Sequence, residues 1–132
     1  MYKWDNWEKL FREKVFPKPF SKSFNLLQDK ERFKLMVKHI ILWKLKESLS
    51  EEEKAAARAE AKRRLENLNG KIDGMISLKV VTDRLPSSNA DMMLDSEFET
   101  AEALAGYQTN PLHVEAATYV RSVVEARLCL DF

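Results

Sequence analysis

The chain has 132 residues, of which 45% are hydrophobic and 33% charged, with a net charge of +1. That is the composition of an ordinary globular domain. No run reaches the roughly 18 consecutive apolar residues of a membrane-spanning helix, and Met1–Phe20 lacks the apolar core of a signal peptide. A single cysteine, Cys129, excludes an intrachain disulfide and predicts a reducing, cytoplasmic location.

The small net charge hides an asymmetry. Residues 1–35 carry 9 Lys/Arg against 5 Asp/Glu and hold 8 of the 13 aromatics, whereas residues 36–132 carry 13 against 16. This break predicts an N-terminal aromatic and basic extension, 1–35, and a main domain, 36–132. The mild acidity of the main domain argues against a nucleic-acid partner.

Within the extension, Trp4, Trp7, Leu10 and Phe11 share one side of a helical wheel over Tyr2–Phe16, and Pro17 and Pro19 end that helix. Its aromatics can pack on the domain or a partner, or attach to a membrane surface. Codons for Lys30-Glu31-Arg32 can also spell a ribosome-binding site upstream of Met36, which makes Met36 an alternative start.

Met36–Lys46 reads as the central strand. Its odd positions, Val37, His39, Ile41, Trp43 and Leu45, are apolar apart from His39, and its even face carries Ile40 and Leu42 between lysines. Apolar residues on both faces call for cover on both sides. Ser50 with Glu53 forms a capping-box signature, and Ala57, Ala61, Leu65, Leu68 and Ile72 make the apolar stripe of the helix that follows. Asn69-Gly70 stops it. The run Lys62-Arg63-Arg64 reads as the solvated face of that helix.

Met75–Thr82 and Asp91–Phe98 are the next two strands. On the second of these, Asp91, Asp95 and Glu97 fall on one face and are expected at an exposed rim. Thr100 caps a short helix, Ala101–Gln108, broken by Asn110-Pro111. A helix over Val114–Ala126 and a strand over Arg127–Phe132 complete the chain. The order is βαββαβ, the α+β ferredoxin-like arrangement: a four-stranded antiparallel sheet with helices on one face and the other face bare.

VKHIILWKLK, SEEE opening a helix, GKIDGMISLKV, and DSEFETAEALAGYQTNPLHVEAATYVRSVVEARLCLDF together resemble the stress-responsive A/B barrel (Dabb) domain, from Met36 to Phe132. The resemblance implies a homodimer in which two sheets face each other as a dimeric α/β barrel. It also implies functional variety, since the family includes plant stress proteins and a plant polyketide cyclase that forms olivetolic acid. In that cyclase a Tyr and a His six residues apart do the acid–base chemistry. Tyr107 and His113 match that spacing around Pro111, and His39 matches the first-strand His of the family. Asn110 departs from a frequent His, and Met92 stands where the cyclase has a polar pocket residue.

The expected site is therefore His39, Tyr107 and His113 as catalytic residues, with Ile41 and Trp43 lining a pocket for a small hydrophobic or polyketide-like molecule. The alternative is a non-catalytic stress or structural dimer, with the two histidines serving only the fold. No cofactor is expected. Two histidines without local Cys or carboxylate spacing make no metal motif, and Cys129 has no base beside it in sequence.

Overall fold

The computed structural model describes residues 35–132. The helix predicted over Tyr2–Phe16 and the aromatic segment after it lie outside the described residues. Seven elements follow in the order β1 (Val37–Leu45), α1 (Glu51–Glu66), β2 (Met75–Val81), β3 (Met92–Phe98), α2 (Ala101–Thr109), α3 (Pro111–Val123) and β4 (Val124–Asp131). The four strands form one sheet in the order β2-β3-β1-β4, and every neighbouring pair is antiparallel. This is the expected ferredoxin-like topology.

The alternation of β1 decides which face is covered. His39, Ile41, Trp43 and Leu45 are buried under the helices together with Met92, Leu94 and Phe98 of β3, and Leu78 and Val80 of β2. α1 closes this core with Ala57, Ala61 and Leu65, and the last two residues of the predicted stripe, Leu68 and Ile72, are buried from the turns that follow the helix. Its start is fixed by a complete capping box between Ser50 and Glu53. Burying each large apolar side chain of this set contributes roughly 1.5–3 kcal/mol.

The outer edge of β2 is not left open. Asn69 donates to the Leu78 carbonyl (2.8 Å) and accepts from the Leu78 N–H (2.9 Å), and Glu66 accepts from the Val80 N–H (2.9 Å). These bonds occupy backbone groups that would otherwise template pairing with another strand. Gly74 lets α2 come close. Its φ is +76°, and a Cβ placed there would stand 2.5 Å from the Ala103 Cβ.

Two expectations need correction. Asp91 is buried rather than on an exposed rim. Its carboxylate accepts from the Leu45 N–H (2.7 Å) and pairs with Arg58 (3.7 Å) and Arg84 (3.4 Å), so a charge is tolerated there because it is partnered. The last helix begins at Pro111 rather than Val114, and β4 begins at Val124 rather than Arg127. Pro111 ends α2 but also opens α3, because proline suits the first turn, where its missing N–H has no helical partner.

Among the described residues no helix covers the other face of the sheet. Cross-strand pairing sets Leu42 beside Leu128 and Met93, and Ile40 beside Leu130. Leu42, Leu128 and Leu130 are 38%, 72% and 64% exposed, an apolar patch that no other element among the described residues covers. Lys38 flanks it and bonds to Asp95 (2.5 Å) and Glu97 (3.0 Å).

Candidate functional site

A cavity of about 300 Å³ lies between the helices and the sheet. β1 supplies His39, Ile41 and Trp43, α2 supplies Tyr107 and Gln108, and α3 supplies His113, Ala117, Val120 and Arg121. Leu65, Leu94, Val124 and Arg127 complete the wall. All five residues expected at the site therefore line one space. Gln108, Arg121 and Arg127 are the exposed lining residues and form the solvent-side rim.

The helix–helix corner explains how Tyr107 and His113 meet. Thr100 caps α2 by accepting from the Ala103 N–H (3.0 Å), and Leu104 and Tyr107, one turn apart, become its buried side. Asn110 then ends one helix and starts the next. Its N–H donates to the Tyr107 carbonyl (3.1 Å), while its side chain accepts from the Leu112 N–H (2.9 Å). With Pro111 in the first turn, His113 swings back over Tyr107, and the ring centroids lie 4.1 Å apart at 38°.

Tyr107 is the most telling member. Its side chain is buried, and its hydroxyl has no hydrogen-bond partner. Burial pushes its pKa above the ordinary phenol value, against the opposing pull of Arg127, so it stays protonated. An unsatisfied buried hydroxyl costs roughly 1–3 kcal/mol, which an acceptor atom in the cavity would relieve.

His113 is held as the neutral imidazole. Burial lowers its pKa, and the positive fields of His39, Arg121 and Arg127 act in the same direction, while the Gln108 contact opposes them. Nδ1 lies 3.3 Å from the Gln108 carbonyl. A carbonyl can only accept, so Nδ1 carries the proton and Nε2 keeps a free lone pair.

His39 sits deeper, with its ring 6.2 Å from Tyr107 and 6.4 Å from Phe98. Its Nδ1 is hydrogen-bonded to the Asp131 carboxylate, which fixes the ring and leaves Nε2 as the acceptor of the neutral form. Cys129 is also close, its Sγ 3.8 Å from His39 Nδ1 and 3.4 Å from Asp131 Oδ1. Ligand atoms of His39, Cys129 and Asp131 all lie within 4.8 Å of one another, so a metal-capable group exists that local spacing did not reveal. The Cys129 thiol is pushed up by burial and by Asp131, which makes it a poor free nucleophile.

Asp131, Cys129, Arg127 and Arg121 were missed as site residues in the sequence. The signal for three of them was the alternation of the last strand. Once β4 pairs antiparallel with β1, Arg127, Cys129 and Asp131 fall opposite Trp43, Ile41 and His39. Arg121 carries no such signal, since an arginine late in an amphipathic helix reads as solvated.

The sequence profile of the stress responsive A/B barrel domain matches residues 37–132. The chain belongs to that family. The A/B barrel chain is similar to a solved structure from Bacteroides fragilis, described as a dimeric protein of unknown function with a ferredoxin-like fold. The two are 33% identical over 74% of this chain and 94% of that one, with a TM-score of 0.70. An Arabidopsis thaliana structure is 27% identical over 73% and 92%, with a TM-score of 0.57. A hydroxynitrile lyase from Passiflora edulis is 20% identical over 74% and 92%, with a TM-score of 0.58, a likeness of fold alone. Among curated proteins none matches. No helix among the described residues is long and apolar enough to cross a membrane.

Proposed function

We propose that the cavity binds a small, mostly hydrophobic molecule and that Tyr107 and His113 act on it by acid–base chemistry. The observation that carries this reading is Tyr107, a cavity-lining residue beside a neutral imidazole whose buried hydroxyl has no hydrogen-bond partner. A phenol that stays protonated donates to a ligand oxygen. A free imidazole lone pair takes a proton from carbon or oxygen. Apolar walls with a few converging polar groups are how small-ligand sites are commonly built. One general acid or base is worth roughly 10²–10⁴ in rate. His39, fixed by Asp131, supports the pair from below.

The reading includes a homodimer through the bare sheet face. An exposed patch built on Leu42, Leu128 and Leu130 supports it, as does the dimeric description of the Bacteroides fragilis relative. The cavity lies on the opposite, helix-covered side, so the dimer and the site use different faces of one sheet.

Titration calorimetry with naphthol tests the binding half. One site per chain is expected, with affinity falling about tenfold in Tyr107→Phe, the loss of one hydrogen bond. Naphthol that does not bind, or binds equally to Tyr107→Phe and His113→Ala, would overturn the assignment.

A further inference from the structure

We propose that the molecule the cavity takes is an acid: an apolar body against Ile41, Trp43 and Tyr107, and a carboxylate at the rim held by Arg121 and Arg127. This rests on the reading of the cavity as a ligand site and names the class of its ligand.

The arginines differ in whether a carboxylate partners them. Among the described residues there are six. Arg63 and Arg64 pair with Glu60 at 2.6 and 2.7 Å, and Arg58 and Arg84 pair with Asp91 at 3.7 and 3.4 Å. Arg121 and Arg127 have no carboxylate partner among the described residues, and they are the two arginines that line the cavity. This is not for want of acids, since residues 36–132 carry 16 Asp/Glu against 13 Lys/Arg.

The nearest acids in sequence are engaged elsewhere. Glu125 faces Lys44 (3.9 Å) and accepts from the Glu47 N–H (3.3 Å). Asp131 bonds to His39 and Cys129. The lining itself includes no Asp or Glu. The cavity is thus a largely apolar space with two guanidiniums and no carboxylate in its lining. Their fields reach inward, since both lower the pKa of His113 and Arg127 opposes the upward shift of Tyr107.

A guanidinium fork matches a carboxylate in shape and charge, and hydrogen bonds to charged groups are stronger than neutral ones. The rim position keeps the anion's desolvation small while the body of the ligand displaces water from the apolar wall. The volume limits the size. At the roughly 30 Å³ that one water occupies in the liquid, a cavity of about 300 Å³ has room for roughly ten non-hydrogen atoms. With the carboxylate outside at the rim, an acid whose body is one or two fused aromatic rings or a short branched chain fits, and a long-chain lipid does not.

The test compares naphthoate with naphthol, two probes of nearly the same body that differ in charge. Calorimetry on the full chain should show naphthoate binding about ten- to a hundredfold tighter than naphthol. The Arg121→Gln/Arg127→Gln protein should bind the two about equally, naphthoate having lost its tenfold or greater advantage. Both substitutions are at exposed positions, so the fold is expected to persist, and an unchanged Tm checks that it does. Naphthol that binds as tightly as naphthoate to the unaltered protein overturns the acid assignment and leaves the cavity reading standing. If neither probe binds, the cavity reading itself falls, and the acid assignment falls with it.

Discussion

The Tyr107 and His113 rings lie 4.1 Å apart at 38°, across a corner where Asn110 ends one helix and caps the next. The phenol and the imidazole therefore line one cavity although they belong to different helices. The corner holds them, and the site inherits its geometry from helix capping.

Tyr107→Phe separates stability from function. The hydroxyl is buried without a partner, so its removal should leave stability unchanged or raise it by up to about 1–3 kcal/mol. Urea unfolding monitored by circular dichroism measures this. A loss of more than about 1 kcal/mol would show that the hydroxyl is satisfied in the folded protein.

Acidification should weaken the fold through His113. Its folded pKa is lowered, so the unfolded chain binds the proton first as pH falls. Stability is fully present above the unfolded value near 6.5 and is lost as pH drops from there through the folded pKa. His113→Gln should flatten the part of the pH–stability curve below about pH 6.5. An identical slope in the variant would assign the acid sensitivity to other groups.

Two glycines with the same backbone sign should differ in tolerance. Gly70 has φ +80° and open space where a Cβ would stand, whereas Gly74 has φ +76° and meets the Ala103 Cβ at 2.5 Å. Gly70→Ala should cost only the left-handed backbone penalty, about 1–2 kcal/mol. Gly74→Ala should cost more, because α2 must also move away from the sheet. Comparing the two by chemical unfolding decides it, and equal losses would mean that α2 accommodates the methyl freely.

The bare sheet face predicts association. Leu42→Glu would place a charge in the middle of the Leu128 and Met93 patch, and burying it unpaired costs several kcal/mol. Light scattering should show a dimer for the unaltered protein and a monomer for the variant. An unaltered protein that is monomeric at micromolar concentration would remove this face as an interface.

The fold was legible in the sequence because its signals are local. The alternation in Val37–Leu45, the Ser50–Glu53 capping box and the Ala57–Ile72 stripe each report on a short stretch. His39, Tyr107 and His113 came from a resemblance, and the structure places their side chains in one cavity. What stayed hidden was non-local. Asp131 lies 92 residues from His39 and becomes its neighbour only through β1–β4 pairing. Asp91 looked like a surface acid, because alternation cannot reveal that Arg58 and Arg84 partner it. Pro111 reads in sequence as a break and a fixed turn between two helices, and the structure adds that it is itself in the first turn of the second.

The central claim is that Tyr107 and His113 form a working donor and base around an apolar cavity. The ring opening of nitrobenzisoxazole tests it most directly, since a base removes the ring C–H proton while the N–O bond breaks and a donor steadies the departing phenolate. The account predicts turnover above buffer that falls by about 10²-fold or more in His113→Ala, the worth of one general base, and falls also in Tyr107→Phe, with both variants folded. Turnover that survives in His113→Ala, or never rises above buffer in the unaltered protein, would contradict it.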